Sequence, residues 1–236
     1  MKNADVVVLD GIVHTTLPDN LVNKGTIFVI RTSKADFFAN YEQITSLIGK
    51  TERLNIVLTD VETFTDNDFS LYKERLDFLK NVVKERFMQG QSPQFNLLTD
   101  RILLDKMNNC NAGIENMTLA PNGKFYICPA FYLEDETDTA GDLVNGIEVK
   151  NKHLYKLENA PLCRSCDAYQ CKRCVWLNRK TTREVNTPSH EQCVAAHLER
   201  NASRNLLINF QSLGAWKEKD IAAIDYLDPF DVRKEF

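Results

Sequence analysis

Seven cysteines are the residues in this sequence best suited to chemistry, and all of them lie between residues 110 and 193. Four of them form two C-x2-C pairs, Cys163–Cys166 and Cys171–Cys174, which are separated by four residues. Two thiols at this spacing can turn toward one ion, and thiolate is a soft ligand that selects zinc, cuprous copper or iron–sulfur centres. The other three are Cys110, Cys128 and Cys193. The spacing therefore predicts metal binding.

Three interpretations of the cysteines remain open. A structural zinc site could use the two close pairs alone, although their gap of four residues is shorter than the roughly 12–20 residues usual in zinc ribbons. Buried cysteines without a ligand are the second interpretation, which the polar neighbours Arg164, Lys172 and Arg173 disfavour. Two clusters that share all seven thiols form the third, and this one assigns every cysteine.

Composition and charge exclude several classes of protein. Hydrophobic residues make up 43% of the chain and charged residues 26%, which is typical of a globular protein. A net charge of −4 without a basic run argues against nucleic-acid binding, and no apolar stretch reaches the roughly 20 residues that span a membrane. The first residues lack the apolar core of a signal peptide. We therefore expect a cytoplasmic location, where an odd number of reduced thiols favours metal over disulfides.

Residues 1–105 contain no cysteine and show alternating strand and helix patterns. Four short apolar runs, continuous in the manner of strands buried on both faces, predict strands. These runs are Val6–Leu9, Thr26–Ile30, Leu54–Leu58 and Phe95–Leu98. Helices are predicted between them, and this alternation indicates a partly parallel sheet with helical crossovers.

Two helices have recognisable ends. One begins at Asp66, a favourable N-cap residue, and is ended by Gly90. The other spans Lys34 to Ile48 and is ended by Gly49. The helix that begins at Asp66 repeats apolar residues at helical spacing along one face, which predicts that this face is buried. These residues are Phe69, Tyr72, Leu76, Leu79 and Val83.

Acidic residues follow two of the predicted strands. Asp60 and Glu62 come after the third strand, and Asp100 comes after the fourth. Because α/β sheets place ligands at the carboxyl ends of their strands, these carboxylates are candidates for a catalytic site. Ordinary helix capping explains the same residues and is the favoured interpretation. The sequence thus identifies no catalytic residue.

Smaller elements are predicted beyond residue 105. Met117–Leu119 and Phe125–Cys128 flank an Asn-Gly turn and predict a hairpin. Glu191–Phe210 predicts a closing helix, in which His197 follows Cys193 by one turn. His190 lies just before this helix.

The elements group into three segments. Residues 1–105 are predicted to form an α/β domain, and residues 106–210 a small cysteine-rich α+β domain. Residues 211–236 form a predicted C-terminal tail. The tail is polar and carries three isolated apolar anchors, which are Trp216, Tyr226 and Phe230.

The complete cysteine order resembles a known family. Cys110-x12-Gly123-x4-Cys128, the two close pairs and the final Cys193 resemble the SPASM domain, a module that holds auxiliary 4Fe–4S clusters in radical SAM enzymes that modify ribosomal peptides. The internal gaps here are slightly shorter than in the common family pattern. The flanking sequences NCNAGIENMTLAPNGKFYICPAFY and APLCRSCDAYQCKRCVWLNRKTTREVNTPSHEQC resemble the CXXX repeat peptide maturases. The resemblance covers roughly residues 54–210.

This resemblance implies an unequal division of the thiols between two 4Fe–4S clusters. The four-cysteine set is Cys163, Cys166, Cys171 and Cys193. The three-cysteine set is Cys110, Cys128 and Cys174. An eighth cysteine, which fully ligated relatives carry a few residues after Cys110, is absent from the sequence. The fourth position of that cluster is therefore open to water, Glu115 or a substrate thiolate.

The resemblance also implies a fold and a function. Residues 1–105 would form a truncated half-barrel of the radical SAM β/α kind, followed by the SPASM-like domain. Radical SAM catalysis requires C-x3-C-x2-C, and no cysteine precedes Cys110, so this chain alone is not expected to cleave S-adenosylmethionine. Whether it is an enzyme stays open.

The implied role is maturation of a ribosomally made, cysteine-rich precursor peptide. The clusters would recognise that peptide or relay electrons, beside a separate modifying enzyme or electron donor. The alternative is a zinc-stabilised binding module without redox chemistry, which the compact C-x2-C pairs alone would support.

Overall fold

The computed structural model describes residues 5–12, 25–107 and 109–230. The chain divides into two compact units. The sheet unit comprises the described residues of 1–106, 168–170 and 190–236, and the cysteine unit comprises those of 107–167 and 171–189. The parts of the predicted segments that fall on residues 1–4, 13–24, 108 and 231–236 lie outside this description.

Seven short strands occur in the described residues. In chain order they are β1 (Val6–Asp10), β2 (Ile27–Thr32), β3 (Arg53–Leu58), β4 (Thr118–Leu119), β5 (Phe125–Tyr126), β6 (Gly141–Asp142) and β7 (Gly146–Ile147). The first three form a parallel sheet in the order β1-β2-β3, which confirms three of the predicted strands and their direction. The predicted strand Phe95–Leu98 is wrong, because only Phe95 bridges to Leu54 and the chain then turns. Among the described residues this sheet does not close into a barrel.

Burial of this sheet is one-sided, which corrects the expectation that both faces are covered. Val6 and Val8 of β1 and Val57 of β3 are exposed. Valine suits any pleated surface, so a continuous apolar run does not by itself show burial on both faces. The opposite face contributes to the core through Phe28, Ile30, Leu54 and Ile56.

Six α-helices occur in the described residues. They are α1 (Lys34–Asn40), α2 (Asp66–Met88), α3 (Asp100–Leu103), α4 (Pro129–Glu134), α5 (Val175–Thr182) and α6 (His190–Ser212). Short 3-10 turns occur at Tyr41–Ser46, Val61–Thr63, Lys152–Tyr155, Leu157–Asn159 and Cys163–Ser165. Helices α4 and α5 belong to the cysteine unit and the others to the sheet unit. The predicted helix Lys34–Ile48 is therefore α-helical only in its first half.

Helix α2 forms largely as its sequence predicts. It begins at Asp66, although the cap is Thr65, whose side chain and that of Asp68 form a capping box. Gly90, with a left-handed φ of 80°, lies just beyond its end. The five predicted apolar residues are all buried, and this face packs against α6. The predicted closing helix is likewise confirmed as α6.

The segment after α6 belongs to the sheet unit. The ring of Trp216 lies 4.9 Å from that of Phe210, and the ring of Tyr226 lies 5.5 Å from that of His197. These two predicted anchors therefore contact α6. Phe230 is 58% exposed, so this predicted anchor packs against little.

The cysteine unit is built from small elements around a small core. Strands β4 and β5 pair antiparallel, which confirms the predicted hairpin, and β6 pairs with β7. The buried core residues are Ala112, Ala120, Tyr126, Ile127, Phe131, Ala140 and Val175. Within the described part of the chain, no helix is both long and apolar enough to cross a membrane.

Candidate metal centre

Cys110 lies in a tight loop held by its own polar residues. Its backbone carbonyl accepts a hydrogen bond from the Asn116 side chain at 2.7 Å. Asn111 adopts a left-handed φ of 55°, and its side chain donates to the Glu115 carboxylate at 2.7 Å. Cys110 is exposed, so the loop presents this residue at the surface of the cysteine unit. Glu115, the predicted alternative ligand, shares the loop, and its role as a ligand stays a prediction.

Cys128 and Cys174 each occupy the N-cap position of a helix. Cys128 precedes α4, which begins with Pro129, and Cys174 precedes α5. Burial raises the pKa of both thiols, and backbone N–H groups in the first turn of each helix lower it. Such N–H dipoles stabilise the thiolate, which is the form that binds metal.

Side chains brace α4 against α5. Trp176 Nε1 donates to Glu134 Oε2 at 2.8 Å. The Arg179 guanidinium lies 4.0 Å from the centre of the Phe131 ring and pairs with Glu134 at 3.4 Å. A cation over an aromatic face and a charged hydrogen bond are both attractive contacts. They fix the position of one capped helix relative to the other.

The three-cysteine set is divided among a surface loop and two helix N-caps of the cysteine unit. Burial is the main cause that raises the pKa of the Cys174 and Cys128 thiols, and other thiols of the set add to the rise. Among the described residues, the three thiols do not form a group that could hold a metal ion, so their sharing of a cluster stays a prediction.

The close pairs also lie largely in local turns. Cys163 opens a 3-10 turn, and the backbone N–H of Cys166 donates to its carbonyl at 3.2 Å. The backbone N–H of Arg173 donates to Cys171 Sγ at 3.5 Å. Burial raises the pKa of the Cys163 thiol to about 11, with a smaller contribution from Cys166. Hydrogen bonds to ligand sulfur are among the features that tune a metal centre.

Two residues of this segment are buried against expectation. Arg173 is 1% exposed and Cys163 is 8% exposed, whereas Arg164 and Lys172 are exposed. The polar sequence therefore did not indicate a wholly exposed segment. Arg173 can be buried because neighbouring acceptors bind its donors, and this information is absent from local sequence.

Cys193, the remaining member of the four-cysteine set, is a partly buried residue of α6 and belongs to the sheet unit. His190 Nδ1 lies 2.5 Å from Asp228 Oδ2. His197 Nδ1 is hydrogen-bonded to the backbone carbonyl of Leu227. These contacts give both histidines structural partners in the sheet unit.

The donor chemistry of the cysteine unit fits a thiolate-bound metal centre. Six of the seven cysteines belong to this unit. Within the described ranges, however, no group of three or more His, Cys, Asp or Glu side chains is gathered closely enough to hold a metal ion without rearrangement. One buried donor atom there also lacks a partner, Nη1 of Arg173. Such an orphan needs an acceptor, and ligand or cluster sulfur is one.

The strand-end carboxylates have structural roles. Asp60 Oδ1 accepts the backbone N–H of Lys34 at 2.8 Å, at the start of α1. Asp100 is 3% exposed and accepts from Arg53 Nη2 at 2.5 Å. The contact of Asp60 agrees with the capping interpretation, whereas Asp100 is paired with an arginine instead. Glu62 lies in the 3-10 turn Val61–Thr63.

A polar network that the sequence did not predict lies inside the sheet unit. The hydroxyl of Tyr72 donates to Glu199 Oε1 at 2.7 Å, and Gln170 Nε2 donates to the backbone carbonyl of Ala196 at 2.7 Å. Burial raises the pKa of Glu199 to about 7, with Asp100 adding to the increase. Glu199 lies one helical turn from buried residues of α6, and this position was the signal for the network that the sequence offered. Its partners Tyr72 and Gln170 are distant in sequence, so the network itself could not be predicted.

Comparison of the chain with protein-family models and with curated proteins found no match.

Proposed function

We propose that the chain is an iron–sulfur protein with two auxiliary 4Fe–4S clusters, acting in the maturation of a ribosomally made, cysteine-rich peptide. The observation that carries the proposal is that six of the seven cysteines lie in one unit, whose core in the described residues contains only seven buried residues. Many thiols beside a small core are typical of a domain that a bound metal stabilises. The order of all seven cysteines along the chain supports the same proposal.

The two clusters divide the thiols unequally in this proposal. All members of the three-cysteine set lie in the cysteine unit. Two of them cap α4 and α5, the helices that the contact between Trp176 and Glu134 holds together. The four-cysteine set has three members in that unit, and the inclusion of Cys193 depends on sequence order alone. Bound clusters would supply one-electron transfer, and the iron left without a protein thiolate in the three-cysteine cluster would be the docking point for a peptide thiolate.

The protein side chains have separate tasks in this scheme. Burial raises the pKa of Cys128 and Cys174, and the first-turn N–H groups of α4 and α5 offset part of that rise. Cys110 lies in an exposed loop, so a peptide could approach the three-cysteine set from its side, whereas Cys128 and Cys174 are partly buried. Because the sequence has no C-x3-C-x2-C motif, the radical step would belong to a separate modifying enzyme.

A zinc-stabilised binding module is the alternative function. The N–H···S contact from Arg173 to Cys171 and the two C-x2-C pairs suit either metal. The small core of the cysteine unit also suits either function, because a bound metal of either kind would stabilise the unit without any redox chemistry.

Anaerobic purification followed by iron, sulfide and zinc analysis separates the two functions. We expect about eight irons and eight sulfides per chain, and a visible absorption that bleaches reversibly on reduction. Zinc without iron, in a colourless protein, would contradict the proposal and favour the binding module. A cysteine-rich synthetic peptide and its cysteine-to-serine counterpart then test recognition, with tighter binding expected only for the thiol peptide.

A further inference from the structure

Arg173 is the most deeply buried charged residue of the cysteine unit. It is 1% exposed and adopts a left-handed φ of 45°, which is unusual for a residue with a side chain. Its Nε donates to the Asn109 side-chain oxygen at 3.2 Å, and its Nη2 donates to the backbone carbonyl of Tyr155. Its Nη1 is buried and has no partner. Two neutral acceptors therefore hold this guanidinium at Nε and Nη2, while Nη1 has no acceptor.

The charge of this guanidinium is also uncompensated. Among the described residues, Arg173 hydrogen-bonds to an amide oxygen and a backbone carbonyl, and no carboxylate forms an ion pair with it. A buried charge without an opposite charge is costly. Arg173 lies between Cys171 of the four-cysteine set and Cys174 of the three-cysteine set, and its backbone N–H donates to Cys171 Sγ at 3.5 Å. The guanidinium therefore belongs to a segment that carries members of both predicted ligand sets.

We propose that Arg173 is the charge partner of the metal centres in the cysteine unit, with Nη1 donating a hydrogen bond to a ligand or cluster sulfur. The inference rests on the proposed iron–sulfur function and deepens it. A thiolate-bound cluster carries net negative charge, and hydrogen bonds to its sulfurs and nearby charge set its reduction potential. Arg173 stabilises the more negative, reduced state and so raises the potential of the cluster that it contacts.

The chain offers two matched controls for this residue. Arg164 lies inside the first C-x2-C pair and Lys172 inside the second, next to Arg173, but both side chains are exposed. Removing either charge makes the same change in net charge at the same place in sequence. Solvent screens exposed charges, so these controls separate a buried contact from a general electrostatic effect.

The test compares the anaerobically loaded chain with R173M, R173K, R164M and K172M by redox titration of the cluster absorption. R173M is expected to shift at least one midpoint potential to a more negative value. R173K is expected to shift it less, because lysine keeps the positive charge but lacks the planar N–H donors of the guanidinium. R164M and K172M are expected to match the wild type. Equal potentials in wild type and R173M would overturn the inference, as would an equal shift in K172M.

Two further outcomes decide the case where R173M binds no iron. If hydrogen exchange shows the fold of unloaded R173M to be that of the unloaded wild type, the loss of iron supports the inference. If the unloaded variant loses that fold, the contacts to Asn109 and Tyr155 are the role of Arg173 and the inference fails. A wild-type chain without iron would instead defeat the proposed function itself, so the two failures are distinguishable.

Discussion

The sheet unit and the cysteine unit differ in how much apolar surface holds each together. In the described residues, the core of the sheet unit contains 28 buried residues, whereas that of the cysteine unit contains seven, three of them alanine. The cysteine unit nevertheless spans roughly 80 residues, a length at which a small core alone leaves a domain marginally stable. Domains of this kind usually rely on disulfides or a metal.

The two units therefore differ in what we expect to stabilise them. Side-chain packing accounts for the sheet unit, in which α2 and α6 bury their apolar faces together with one face of the sheet. The cysteine unit instead buries Arg173 and carries six thiols, and in the proposed function a bound metal supplies the stability that its small core does not. We therefore expect the two units to respond differently to metal and to core substitutions.

Removal of the metal is the change expected to have the largest effect. Structural metal sites contribute on the order of 10 kcal/mol, which exceeds the stability of most small domains. After anaerobic chelation, backbone amides of α4 and α5 should lose their protection from hydrogen exchange, while those of α2 and α6 keep it. Unchanged protection in α4 and α5 would remove the distinction between the units.

A core substitution in the sheet unit should produce the converse result. Leu79 is fully buried on α2, and Leu79→Ala should lower the free energy of unfolding of this unit by about 3 kcal/mol through lost transfer energy and a residual cavity. Metal content should not change. Glu85→Ala on the exposed side of α2 is the matched control, with an expected change below about 0.5 kcal/mol in denaturant unfolding. Loss of metal from Leu79→Ala would show that the units are not independent in stability.

Two glycines allow a matched comparison of backbone strain. Gly113 has a φ of 82°, and a Cβ there would lie 2.8 Å from the Tyr155 ring, whereas Gly90 has a φ of 80° and nothing within 4 Å. Gly90→Ala should cost about 1 kcal/mol from backbone strain alone. Gly113→Ala adds a clash in the cysteine unit and should cost about 2–3 kcal/mol, with weaker metal retention against a chelator. Equal metal retention in the two variants would contradict this difference.

The pH dependence of the sheet unit follows from Glu199. Its pKa of about 7 in the folded chain lies above the ordinary value of 4.5, so the folded state keeps a proton that the unfolded state loses between these values. Stability from this group is therefore present below pH 4.5 and is lost as the pH rises toward 7. Partial exposure of Glu199 reduces the full effect of roughly 3 kcal/mol to about 2 kcal/mol.

Chemical denaturation of wild type and E199Q across this pH range measures the effect. Glutamine keeps the shape and neutral charge of the protonated carboxyl and does not titrate, so E199Q should lose the fall in stability and leave any other pH dependence intact. The network partner Tyr72 titrates far above this range, and Asp100 remains paired with Arg53. An identical pH slope in both proteins would exclude Glu199 as the cause.

Sequence patterns predicted the regular elements of the sheet unit well. The apolar spacing from Phe69 to Val83 predicted both the helix and its buried face, because the period of an α-helix shows in the order of neighbouring residues. The run Phe95–Leu98 has the same apolar character as a strand, but after the bridge at Phe95 the side chain of Thr99 hydrogen-bonds the Phe95 backbone and the chain turns. A short apolar run does not distinguish these outcomes.

Residues of the candidate site could be predicted only in part. Spacing identified the thiols, since C-x2-C is a local signal, and the grouping of the three-cysteine set came from a resemblance. The burial of Arg173 could not be predicted, because its acceptors Asn109 and Tyr155 lie 64 and 18 residues away. Long-range polar contacts of this kind leave no period in the sequence.

The claim that the cysteine unit forms a metal centre from Cys110, Cys128 and Cys174 is tested most directly by replacing all three with serine. Iron and sulfide are then counted after anaerobic purification beside the wild type. The account predicts loss of about half of the metal, leaving about four irons and four sulfides of the eight expected for two clusters. An iron and sulfide content equal to that of the wild type would contradict it.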